Sequence, residues 1–123
     1  MADMIIVETK IDSQDGAHKI AQALVERRLA AAVQVCGPIA STYWWKGRIE
    51  HAEEWACTAK TREDLYGPLE QAIRELHPYE TPAIVATPIV AGSQSYLEWI
   101  AAETVDPAAL SVAPVPVSEE NAQ

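Results

Sequence analysis

Two strand-like runs meet at Lys46-Gly47, and that junction constrains this chain more than any other feature. Ile39 to Trp45 is rich in β-branched and aromatic residues, a long run from Arg48 to Lys60 follows it, and only two residues separate them. A two-residue loop ending in glycine predicts a tight hairpin with Gly47 at positive φ. Such a turn fixes the register, so Tyr43 faces Glu50. Carried further, the same register sets Cys36 opposite Cys57, whereas a bulge near Gly37-Pro38 would part the two thiols. The second run is about twice the usual strand length. It bends or extends past its own sheet, and an overshooting strand needs a partner, for which a neighbouring subunit is the natural candidate.

The remaining elements alternate around this hairpin. Met4 to Thr9 is a continuous β-branched run that reads as a buried strand. Asp12 and Ser13 can cap a helix whose apolar positions are Ala17, Ile20, Ala21, Leu24 and Val25, with Arg27 and Arg28 near its end. Ala30 to Val35 reads as strand again. Thr61 with Asp64 resembles a capping box before a second helix, whose stripe is Leu65, Leu69, Ala72, Ile73 and Leu76. Gly67-Pro68 makes its first turn irregular, or else places its regular start at Pro68. Ala83 to Val90 gives a fourth strand, with Pro88 marking an edge or bulge. Ser93 caps a short last helix through Tyr96, Leu97, Trp99 and Ile100. The order β-α-β-β-α-β plus a short helix predicts an α+β, ferredoxin-like sandwich over residues 1–105. From Asp106 the chain turns Pro-, Ala- and Val-rich, and residues 106–123 read as an extended tail ending in a polar segment.

Between the second helix and the fourth strand lies Leu76-His77-Pro78-Tyr79-Glu80-Thr81-Pro82. Each proline fixes its own φ and biases the preceding residue towards extended backbone, so an imidazole, a phenol and a carboxylate stand on a stiff connector. His77 is either a metal ligand, with Glu80 orienting or sharing it, or a cation at a helix C-terminus. Tyr79 is a ligand contact or a half-buried amphipathic wedge.

The net charge of −9 argues against nucleic acid and anionic membranes, both of which require a basic face. No apolar run reaches membrane-span length and the start lacks a signal-peptide pattern, so the expected compartment is the cytoplasm. Two cysteines fit a reducing environment, as buried inert thiols rather than a disulfide scaffold. Ser41, Ser93 and Ser95 have no histidine nearby in sequence, and no phosphate-cradling glycine loop or metalloprotease spacing occurs. The reading is therefore a binding protein and not an enzyme. His18 and His51 lie on polar segments and read as solvated.

Five ordered pieces now carry a resemblance: Leu29-Ala30-Ala31-Ala32; Ser41-x-Tyr43-x-Trp45-x-Gly47-x-Ile49-Glu50; Lys60-Thr61; His77-Pro78-Tyr79-Glu80-x-Pro82; and Gly92-Ser93-x-x-Tyr96-Leu97-x-Trp99. The chain resembles the CutA family of divalent-cation tolerance proteins from about residue 4 to residue 103. The resemblance implies a homotrimer joined by sheet edges, with intersubunit clefts like those of PII-type signalling proteins and a link to divalent metal, especially copper. It departs from the family at Ala32 and Glu8, where relatives often or sometimes carry a thiol, and at Leu76-His77, where some have two histidines. Soft ligands favoured by copper are thus missing, and a site of His77 nitrogen with carboxylate oxygens, Glu80 first, suits zinc or other borderline ions better. The alternative partner is a small anionic metabolite, drawn to Lys60, His77 and Tyr43. Lys60 has its own bland reading, a surface charge paired with Glu50 or Glu80. The expected cleft also includes Trp45, Glu50, Tyr79, Glu80 and Trp99. Trp44 and Trp45 point to opposite faces, one ring for the core and one for an interface.

Overall fold

The computed structural model describes residues 3–110. Four strands form one antiparallel sheet in the order β2-β3-β1-β4, with β1 at Met4–Ile11, β2 at Ala32–Trp45, β3 at Arg48–Arg62 and β4 at Ile84–Pro88. Helices α1 (Gln14–Glu26) and α2 (Tyr66–Leu76) connect them, α3 (Gln94–Glu103) follows β4, and a short α4 (Pro107–Leu110) comes last. This is the ferredoxin-like α+β arrangement expected from the element order.

Alternation along the central strands decides which face is covered. Ile5, Val7 and Ile11 of β1 and Cys57 and Ala59 of β3 point to one side, where Ile20 and Leu24 of α1 and Leu69 and Ile73 of α2 close over them. Each of the isoleucine, valine and leucine side chains, taken fully out of water, contributes about 1.5–3 kcal/mol before entropy is deducted. Ser13 starts α1 by accepting a hydrogen bond from the Gly16 amide at 2.9 Å, and Ser93 does the same for α3 through the Tyr96 amide at 3.3 Å. The capping box expected at Thr61 does not form. Thr61 is still inside β3, fully buried, and its hydroxyl donates to the Leu29 carbonyl at 2.7 Å. The chain enters α2 through a single 3₁₀ turn, Glu63–Leu65, so the irregular first turn is the outcome, and Pro68 lies inside the helix.

The hairpin turns as expected, with Lys46 at φ 52° and Gly47 at φ 82°, and Tyr43 is paired with Glu50. Ala30–Val35 and Ile39–Trp45 are not two strands but one, interrupted by a bulge in which Gly37 and Pro38 oppose Trp55. The bulge moves the register by one residue. Cys36 therefore pairs with Ala56 and Val35 with Cys57, and the two thiols are not partners. Cys36, on the edge strand β2, is exposed, against the expectation that both thiols are buried; Cys57 is buried with its thiol on the Ala17 carbonyl, and burial pushes its pKa up to about 11, which fits the inert role. Residues Asp106–Leu110 are not extended either. Asp106 starts a helical turn by accepting from the Ala108 amide at 3.0 Å, and the rest of the expected tail lies outside the described residues.

β1 ends where Ile11 pairs with Trp55, yet β2 and β3 continue together from Ile39 to Arg48. This protruding ribbon lies beyond the cover of α1 and α2, so neither Trp44 nor Trp45 enters the core; they are 72% and 37% exposed. The expectation of one core ring thus fails, because alternation decides burial only where a layer lies over the sheet.

Gly37 sets the bulge. A Cβ there would press into the Trp55 indole, 2.7 Å from Cγ, and Trp55 packs on the core. Gly37→Ala should lower stability by about 1–3 kcal/mol, the usual cost of overpacking. Denaturant unfolding checks this; an unchanged midpoint would show that the indole moves aside freely.

Candidate functional site

The connector His77–Ala83 crosses the end of β1 and supplies what that strand no longer provides. His77, 8% exposed, is bonded through Nε2 to the Lys10 carbonyl at 2.7 Å, and its Nδ1 accepts from the Tyr79 amide at 3.3 Å. Those two bonds require the neutral ring protonated on Nε2. The His77 and Tyr79 rings meet edge to face with centroids 4.5 Å apart. So held, Tyr79 donates its hydroxyl to Glu54 Oε2 at 2.7 Å. Glu54 belongs to β3 just beyond the last residue paired with β1, and it is 6% exposed.

Glu54 and Tyr79 form part of the wall of an open cavity of about 690 Å³ at the root of the ribbon. Tyr43, Trp44 and Trp45 of β2, Lys10 of β1 and Glu80 of the connector complete the main lining. Of the residues expected at the site, Tyr43, Trp45, Tyr79 and Glu80 are therefore brought together. His77 lies behind Tyr79 and outside the lining. Glu50 is across the ribbon from Tyr43. Lys60 is at the far end of β3, hydrogen-bonded to Gln34, and Trp99 stacks on Tyr96 of α3 at 5.6 Å. Within one chain those three do not reach the cavity. Glu54 and Lys10 were missed by sequence reasoning. Glu54 sits in an exposed-looking Glu53-Glu54 pair, and only its place immediately before the apolar run Trp55-Ala56-Cys57 hints at its burial.

The electrostatics lean negative. Lys10 is tied to Glu8 at 3.3 Å, Glu80 reaches Lys46 at 3.7 Å, and Glu54 has no ion pair among the described residues. Burial, reinforced by the hydrogen bond and the charge of Glu54, raises the Tyr79 pKa well above that of a free phenol. A metal at His77 would have to displace one of its two hydrogen bonds. Among the described residues no group of three or more His, Cys, Asp or Glu side chains stands ready to hold a metal ion.

A four-stranded antiparallel sheet in the order β2-β3-β1-β4, with helices on it and a long projecting hairpin, defines a small ferredoxin-like α+β protein. The family described as CutA1 divalent ion tolerance protein matches residues 5–103, and the chain belongs to it. The divalent-cation tolerance protein CutA of Pyrococcus horikoshii is 40% identical over 101 residues, 82% of this chain and 98% of that one. The solved structure of the Thermus thermophilus divalent cation tolerance protein superposes with a TM-score of 0.81 at 36% identity, covering 83% of this chain and 99% of that one. The Archaeoglobus fulgidus structure, described as a periplasmic divalent cation tolerance protein CutA, gives a TM-score of 0.79 at 36% identity, covering 81% and 97%. Among the described residues no helix is long and apolar enough to cross a membrane.

The phenol makes the site sensitive to alkali. An unfolded chain loses the Tyr79 proton near pH 10, while the folded chain retains it, so this contribution is complete below about pH 10 and is lost as pH rises towards the higher folded value. Tyr79→Phe should flatten the fall of melting temperature between about pH 9 and pH 11.5. A parent and variant falling in parallel would show that the phenol titrates freely.

Proposed function

We propose that the protein acts in divalent-cation tolerance as a homotrimer and that its ligand site is the cavity at the root of the ribbon, with a cation as the ligand. The observation that carries this reading is Glu54, a carboxylate 6% exposed in the cavity wall with one oxygen held by Tyr79 and the other without a bonded partner among the described residues. A carboxylate so placed favours a positive ligand. Lys10 is the single cationic side chain of the lining and is already paired, and Lys60 is remote, so the anionic metabolite weighed as the alternative finds little to attract it.

The trimer is supported by the ribbon. Tyr43, Trp44, Trp45 and Ile49 are exposed on a two-stranded projection whose outer backbone groups have no strand beside them in one chain. Two-stranded projections of this kind are marginal alone and gain by pairing with another copy. For the metal, Glu54 and Glu80 offer oxygen donors, a set that holds hard divalent ions best, accepts zinc, and suits copper(I) least. One chain supplies too few donors, so a neighbouring subunit would complete the set. His77 acts in this account by positioning Tyr79, not by ligation. We place the protein in the cytoplasm, a reading supported by the free, exposed Cys36, and assign it binding and not catalysis.

Light scattering at micromolar concentration should give three times the 13.4 kDa of one chain; a monomer mass would contradict the assembly. In calorimetric titrations with zinc and copper(II), Glu54→Gln should weaken binding by about tenfold or more, as loss of a carboxylate at a metal site commonly does. Parent-like binding by both Glu54→Gln and Glu80→Gln would remove metal from the cavity.

A further inference from the structure

We propose that His77 is a proton-operated catch: its neutral ring holds the connector closed on the end of β1, and a second proton on that ring opens the connector and parts Tyr79 from Glu54. This holds whatever the cavity binds.

The catch follows from which atoms meet the ring. Nε2 is 2.7 Å from the Lys10 carbonyl oxygen, an acceptor only, and Nδ1 is 3.3 Å from the Tyr79 amide nitrogen, a donor only. Only the neutral Nε2–H tautomer meets both. In the imidazolium both nitrogens donate, so the Nδ1 hydrogen would face the Tyr79 N–H, and turning the ring over changes nothing. His77 is 8% exposed, so the new hydrogen has little solvent to turn to.

The charged groups around the ring leave it no second acceptor among the described residues. On the connector, the Tyr79 hydroxyl is given to Glu54 of β3 at 2.7 Å, and Glu80 reaches Lys46 at 3.7 Å. On β1, the Lys10 ammonium is turned to Glu8 at 3.3 Å. Asp12, just past that strand, and Tyr43 of β2 act through charge on the Tyr79 phenol and make no hydrogen bond to the ring. On α2, which His77 ends, Arg74 is bonded to Glu70 and Glu75 is paired with Arg27. The end of α2 favours a cation, but the field at a helix terminus is weaker than an unpaired donor in a buried site.

Acid therefore removes the Tyr79 amide bond and the 4.5 Å edge-to-face contact with it, and Glu54 loses its one hydrogen bond among the described residues. Pro78 and Pro82 stiffen the segment, so it moves as one piece. The sign is opposite to that of the phenol: closure is complete where the ring is neutral and is lost as pH falls through the imidazole range.

The measurement is NMR of the full chain from about pH 8 to about pH 5, a range that spans an ordinary imidazole, with the exposed His18 and His51 as references in the same spectra. The His77 ring nitrogens should report the Nε2–H tautomer at the upper end. As the ring takes its second proton, protection of the Tyr79 amide against hydrogen exchange, referred to open chain at the same pH, should fall by about tenfold, the scale of one buried hydrogen bond. His77→Gln keeps a neutral donor for the Lys10 carbonyl and has no proton to gain, so its Tyr79 amide should be equally protected at both ends. Should His77→Gln not fold, the parent and His18→Gln decide: the loss at Tyr79 follows the His77 titration and is unaffected by removing His18. An Nδ1–H ring at about pH 8 or a ring still neutral at about pH 5 overturns the proposal. So does a Tyr79 amide that keeps its protection through the titration, or an equal acid loss in His77→Gln.

Discussion

Backbone hydrogen bonding in the β2–β3 ribbon is what the rest of this structure is arranged around. β2 and β3 are 14 and 15 residues long, while β1 offers only eight for the sheet interior. Over the inner half each strand is supported by neighbours and by the α1 and α2 layer. Past Trp55 the pair continues without either. The bulge at Gly37-Pro38 falls at that boundary and shifts the register of the inner half by one residue against that of the projecting half. A long hairpin carrying two tryptophans and a tyrosine cannot be stabilised by its own ladder alone, which is why a second copy of the chain enters the account.

The end of β1 creates the cavity, and the connector after α2 finishes it. His77 replaces the strand's next partner by bonding the Lys10 carbonyl, and its other nitrogen sets the Tyr79 backbone. The tyrosine then reaches Glu54, which would otherwise be a buried carboxylate with no donor, a loss of about 1–3 kcal/mol. One small chain of contacts thus links the stop of a strand, the rigidity of a proline-flanked connector and the charge of the proposed ligand site. The proposed preference for a cation rests on which charges remain uncommitted, and Glu54 is the buried one.

Much of this was legible in the sequence where local chemistry decides the outcome. Lys46-Gly47 fixed the turn, Ser13 and Ser93 fixed two helix starts, and the order of elements gave the sheet. Legibility ended where distant segments compete. Thr61 looked like a cap but is claimed by the Leu29 carbonyl, and Cys36 would face Cys57 only without the bulge, which puts one extra residue into the ladder. His77 was read as a metal ligand or a helix-terminal cation, and its partners in the structure, the carbonyl of Lys10 and the amide of Tyr79, are backbone groups that no side-chain pattern announces. Glu54 was invisible for the same reason: its burial depends on a connector that starts 23 residues later in the chain.

The central claim is that the ribbon is paired across subunits and that its root is thereby fixed as the ligand site. Residue-resolved hydrogen exchange on the full chain tests it most directly. Pairing predicts that amides of Ile39–Trp45 and Arg48–Glu53 that point away from the hairpin partner exchange as slowly as those of β1, because each is bonded to another copy. Exchange of those amides at the rate of open backbone, while β1 stays protected, would contradict it and leave the ribbon a solvent-exposed arm.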